Sequence, residues 1–146
     1  MDRLRPAGLL PACLWLAALA LPATAAAQTV SLNQGGRDVR IAIGDAAALP
    51  ADFPADVPLP SPRTMLSVER SDGRTTLVIV APGTVEEQAE RLRSGMQAQG
   101  WRAAAFAAPP TGQGQAWEKD ARAVLAWLQP ADAGGTRIQL QLLARR

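Results

Sequence analysis

The sequence predicts an α+β domain, an antiparallel β-sheet with one amphipathic helix packed on one face, in two layers and in the order β-ββ-α-ββββ. Three observations carry that expectation. Ser71-Asp72-Gly73-Arg74 lies between two β-prone runs and reads as a hairpin turn. Thr84-Val85-Glu86-Glu87 opens a helix with the pattern of a capping box. Near the C-terminus Ile138, Leu140 and Leu142 alternate with Arg137, Gln139 and Gln141, one set for a core and the other for water.

The chain starts with a secretory pattern. Arg3 and Arg5 form a basic n-region, residues 8–21 are an apolar run short for a bilayer span, and Ala25-Ala26-Ala27 supplies small residues for cleavage after Ala27. Competing readings are a retained N-terminal anchor and lipidation at Cys13, which almost no apolar stretch precedes. Residues 1–27 are therefore read as a signal peptide, with a periplasmic or secreted product and no stable membrane span after cleavage.

Removing that leader takes away the single Cys and leaves about 119 residues, enough for one domain but hardly for two. The remainder carries 13 Lys and Arg against 12 Asp and Glu, a net charge of +1, with the two signs interspersed. Nucleic acid and anionic membrane are thus not expected partners. A secreted chain with no disulfide must be held by its core, which suits a bacterial periplasm.

Residues 28–36 are polar and expected to be flexible, and the domain proper is expected over 37–146. Val39, Ile41 and Ile43 alternate with Asp38, Arg40 and Ala42 as a short strand. Residues 49–62 contain five prolines, whose missing N–H groups and fixed φ exclude a helix or a central strand. Extended, polyproline-like chain is expected there, lying on the domain so that Leu49, Phe53, Val57 and Leu59 are buried. A flexible linker is the alternative.

The hairpin strands follow at 64–70 and 75–81. The second contains Leu77-Val78-Ile79-Val80, continuously apolar and therefore central in the sheet. The helix is predicted from the Thr84 cap to Gln99, ending at Gly100, with Val85, Ala89, Leu92 and Met96 as its buried stripe and Glu87 and Arg91 as an i,i+4 pair. Strands are then expected at 101–107, 115–119, 122–129 and 137–142. Pro109-Pro110-Thr111-Gly112-Gln113-Gly114 is a loop, and Ala133-Gly134-Gly135 a turn.

The segment Leu49-Pro50-Ala51-Asp52-Phe53-Pro54-Ala55-Asp56-Val57-Pro58-Leu59-Pro60, a hairpin, a helix of the Thr-Val-Glu-Glu-Gln-Ala-Glu type and Gly100-Trp101 opening the next strand together resemble a group of small uncharacterised bacterial secreted and lipoprotein domains. The resemblance covers residues 39–142 and is most specific in the proline segment. It implies a fold and an envelope location, with no catalytic residue to carry over. The chain differs from the lipoprotein members in having no cysteine at the cleavage site.

Composition removes much chemistry. The sequence has no His, and its one Cys is in the leader, so Ser-His-Asp and Cys-His sites and zinc sites with nitrogen or sulfur ligands are excluded. Two carboxylate pairs, Asp52 with Asp56 and Glu118 with Asp120, are the remaining acid–base candidates, and both read better as solvated spacers. Thr111-Gly112-Gln113-Gly114-Gln115 lacks the Lys and the following helix of a phosphate loop.

No catalytic residue, metal site or cofactor is expected. The candidate contact residues are Trp101, Trp117, Trp127, Phe53 and Arg102, since aromatic faces anchor interfaces and stack on sugars. Any of the tryptophans that proves exposed beside residues 108–115 becomes the leading one.

The expected function is a non-catalytic periplasmic binding or protein-interaction module of the bacterial cell envelope, its partner an envelope protein or a cell-wall component. The alternative is a small ligand carrier or carboxylate-based enzyme with a pocket between helix and sheet, made polar by arginines such as Arg70 and Arg102. A helix–sheet interface filled by Leu92, Met96, Val78 and Val80 would argue against that alternative.

Overall fold

A computed structural model describes residues 28–34, 37–43, 47–107 and 110–144, with the side chains of 32–34 and 37–39 left aside. The β-prone runs form β1 (Gln28–Gln34), β2 (Arg37–Ile43), β3 (Thr64–Ser71) and β4 (Arg74–Ala81), followed by helix α1 (Val85–Ala98). The chain continues through β5 (Arg102–Ala104), β6 (Gln113–Lys119), β7 (Arg122–Pro130) and β8 (Thr136–Ala144). All eight strands belong to one antiparallel sheet in the order β1-β2-β3-β4-β8-β7-β6-β5. The helix carries the chain from mid-sheet at β4 to the far edge at β5, and the last strands walk back until β8 pairs with β4.

The helix, the Asp-Gly hairpin, β7 and β8 lie close to where the sequence placed them, whereas β5 is only Arg102–Ala104 in place of 101–107, and β6 starts at Gln113, inside the expected loop. The N-terminal segment does not. Residues 28–36, expected to be flexible, contain β1, paired with β2 from Gln28 opposite Ile43 to Gln34 opposite Arg37. The overlooked signal is Gly35-Gly36 between alternating runs, a two-residue hairpin sequence. Those two glycines, the signal-peptide reading and cleavage at Ala27 lie outside the described residues.

Strand alternation sends Leu77 and Ile79 of β4, Val124, Ala126 and Leu128 of β7, and Ile138 and Leu140 of β8 to one face, where all are buried. The register stacks them: Leu77 lies opposite Leu140 and Ile79 opposite Ile138, which in turn face Ala126 and Leu128. Ala89, Leu92 and Met96 of α1 join this cluster, and α1 packs against β6 and β7. Val78 and Val80 alternate with Leu77 and Ile79 and so belong to the opposite face. The pair expected at the helix–sheet interface was Val78 and Val80, and the expectation fails because a continuous apolar run has no polar position to fix which set turns inward.

Both helix caps are built locally. Thr84 Oγ1 accepts from the Glu87 N–H at 3.2 Å, and Glu87 Oε2 accepts from the Thr84 N–H at 3.0 Å, closing the capping box. Glu87 is thereby taken up by the cap instead of pairing with Arg91, and the helix ion pair is Arg93 with Glu90. At the other end the Trp101 N–H reaches the Met96 carbonyl and the Gly100 N–H the Gln97 carbonyl, each at 3.0 Å, with Gly100 at φ 78°. This is the Schellman arrangement that a left-handed glycine permits.

The proline segment contains a four-residue repeat. Pro50-Ala51-Asp52-Phe53 and Pro54-Ala55-Asp56-Val57 each fold as a turn, closed by Phe53 N–H to Pro50 O at 2.9 Å and Val57 N–H to Pro54 O at 3.2 Å. The expected extended chain is therefore two consecutive turns followed by an irregular run. Each repeat ends on an apolar residue: Val57 is buried, and Phe53 and Leu59 pack against the core. Leu49, also expected to be buried, is 37% exposed. The segment lies on the same side of the sheet as α1. A Cβ on Gly95 would sit 2.9 Å from Pro58 Cγ, which explains a glycine inside a helix despite its cost of about 1 kcal/mol.

Candidate functional site

Two groups of polar and aromatic side chains stand out, one on each face of the sheet. On the helix side, Asp56 comes from the second turn of the proline segment, and Lys119 and Arg122 flank the tight β6–β7 turn. The Arg122 guanidinium donates to Asp56 at 2.9 and 2.7 Å, and Lys119 Nζ donates to it at 2.8 Å. Lys119 also caps the Gln99 carbonyl at 2.7 Å, where a cation suits the helix C-terminus.

Beneath these charges lies Trp101. Its Nε1 donates to the Asp56 carbonyl at 2.7 Å, and the Arg122 guanidinium stands 5.0 Å from its ring centroid. The Arg122 guanidinium holds the Asp56 carboxyl well below the usual carboxylate range, against the opposing effect of burial, with Lys119 adding to it. Asp56 in turn raises Arg122.

Every member of this group is satisfied within the protein. It is a clamp that fixes the proline segment to the sheet. Asp52 repeats the design on the surface, accepting from Arg70 at 2.9 and 2.6 Å, and Arg70 lowers its carboxyl in the same way. The two aspartates thus have separate arginine partners, and lowered carboxyls are poorly suited to donate a proton. Asp120 is exposed in the β6–β7 turn at φ 52°, and Glu118 points to the opposite side of the sheet. Among the described residues no three His, Cys, Asp or Glu gather as a metal site.

The helix–sheet interface is filled by Leu77, Ile79, Leu92 and Met96. One opening on this side is a groove of about 220 Å³ lined by Pro58, Leu59, Gln88, Arg91 and Leu92. Gln88 donates to the Pro82 carbonyl at 2.5 Å. On the same side Arg70 and Arg122 line a second cavity, of about 250 Å³, together with Asp52 and Phe53.

The other face of the sheet has a different character. It carries neither α1 nor the proline segment, and part of it is shielded, since Thr76, Val78, Ala116 and Ala123 on this face are buried. Trp127 of β7 projects there and is 41% exposed, whereas Trp101 and Trp117 are 3% and 2% exposed. Phe106, just after β5, meets Trp127 edge-on with ring centroids 6.0 Å apart at 83°, a favoured aromatic geometry. Leu125, Gln139 and Gln141 border the pair around a hollow of about 90 Å³. Val30 and Ile43, on strands β1 and β2 of the same face, are also exposed.

The structure therefore separates the expected contact residues. Trp101 and Trp117 are core residues: Trp101 is held under the clamp, and Trp117 Nε1 donates to Gln115 at 3.3 Å. Phe53 packs against the core. Arg102 is exposed on β5, opposite Glu118. Trp127 alone of the three tryptophans is presented to solvent, and it lies beside Phe106 and opposite Gly114 of β6.

Sequence reading missed Phe106, Gln139 and Gln141 as its neighbours. The alternation of Gln139 and Gln141 with core residues on β8 was readable, but the register that sets Gln139 opposite Trp127 was not.

No protein family, no curated protein and no solved structure matches this chain. The site stands on its geometry.

Proposed function

We propose that the protein is a non-catalytic binding module of the bacterial cell envelope, and that it engages its partner through the sheet face opposite α1. The observation that carries this is Trp127, a large aromatic residue 41% exposed and held by an edge-on Phe106 on the sheet face opposite α1. Exposed aromatic anchors at rigid positions contribute most of the binding energy in typical interfaces. The domain in this view has two layers, α1 and the proline segment forming the first and the open sheet the second. The clamp at Asp56 keeps the first layer closed, leaving the second face to bind.

The periplasmic address follows from the leader pattern of residues 1–27 and from the resemblance of the proline segment to secreted and lipoprotein domains. The mature protein, tagged at Arg146, should retain a specific envelope component from crosslinked cell envelopes. Retention no greater than that of an unrelated secreted control would refute the module.

A further inference from the structure

We propose that the Trp127 corner binds a neutral sugar ring, so that the partner of this domain is a glycan. This rests on the binding-face reading above and names what that face takes.

The hollow beside Trp127 is lined by Phe106, Leu125, Ala126, Trp127, Gln139 and Gln141, none of them charged. A charged ligand would be desolvated there without a counter-charge, which is costly. The groups that are present suit a ring with one apolar face and hydroxyls at its rim. A pyranose presents C–H groups with slight positive charge, which lie favourably on the negative face of an indole.

The amides of Gln139 and Gln141 are half-buried, and among the described residues their side chains have no hydrogen-bond partner. Each offers two donors and an acceptor, the complement of neighbouring hydroxyls. They project from β8 beside Trp127 of β7, so ring stacking and hydroxyl recognition would come from adjacent strands of a rigid sheet. At about 90 Å³ and open to solvent, the hollow is small, so a ring would lie on it as on a platform.

The test is a titration of the full chain with two neutral glycans, the β-1,4-linked tetrasaccharides of N-acetylglucosamine and of glucose, read by isothermal titration calorimetry, which needs no tryptophan as reporter. At least one glycan should give a saturable heat change. Trp127→Ala should weaken that affinity about tenfold or more, and Gln139→Ala about threefold. Circular dichroism on each variant confirms the fold.

Silence with both glycans, or equal affinity in Trp127→Ala, overturns the proposal. A parallel capture from crosslinked envelopes separates two kinds of failure. Retention of proteins that depends on Trp127, with both glycans silent, overturns the sugar assignment and leaves the binding face standing. Neither glycan binding nor Trp127-dependent capture overturns both.

Discussion

Arg122 donates two hydrogen bonds to Asp56, at 2.9 and 2.7 Å, and so ties the β6–β7 hairpin to a proline segment 66 residues earlier in the chain. The carboxylate is 22% exposed and the guanidinium 28%, so the pair is shielded enough to contribute to stability. Asp52 and Arg70 have the same geometry at 66% and 47% exposure. Asp56→Asn should cost about 2 kcal/mol because it leaves Arg122 and Lys119 partly buried without their partner. Asp52→Asn should cost about 0.5 kcal/mol or less. Urea unfolding of the two variants checks the contrast, and equal losses would refute the clamp.

The same pair predicts an acid limb. Asp56 is lowered from 3.8 in the folded protein, so its contribution is fully present above that value. It is lost as pH falls below 3.8 toward the folded value, because the unfolded chain then binds the proton more readily. Unfolding free energy measured between pH 5 and about 2 should fall more steeply in the wild type than in Asp56→Asn.

How much of this could be read from the sequence depended on whether a local pattern determined the outcome. The α1 caps were legible because each is built within a few residues, Thr84 with Glu87 at one end and Gly100 with Met96 and Gln97 at the other. The strand face at β4 was not, since Leu77-Val78-Ile79-Val80 is apolar throughout and its orientation is fixed by the register with β8. The clamp was equally hidden. Asp56 looked like a solubilising spacer, and its partners lie beyond the helix. A sharper reading was possible in one place: the repeated Pro-Ala-Asp followed by Phe53 and then Val57 signals two like turns.

Tryptophan substitutions should separate core from surface. Trp117→Ala removes a buried indole and should cost about 3 to 5 kcal/mol. Trp127→Ala gives up only partial burial and should cost about 1 kcal/mol. Thermal melts of the two variants measure both.

Gly112 should tolerate no side chain. At φ 83°, its Cβ would lie 2.2 Å from the Leu128 carbonyl oxygen, so Gly112→Ala should destabilise by about 2 to 3 kcal/mol through strain and forced separation of β7 from the preceding loop. Denaturant unfolding of that variant provides the check.

Helix capping gives a smaller, local effect. Thr84→Ala removes the hydroxyl that accepts from the Glu87 N–H and should cost about 1 kcal/mol. Hydrogen exchange of the first turn of α1 should speed up accordingly.

The most direct test of the binding face is site-specific photo-crosslinking in intact envelopes, with the photoreactive residue placed at position 127 in one protein and at the exposed Glu90 of α1 in another. The open face as the contact surface predicts a discrete adduct from position 127 and none from position 90. Adducts at position 90 alone, or equal and diffuse labelling from both positions, would contradict it.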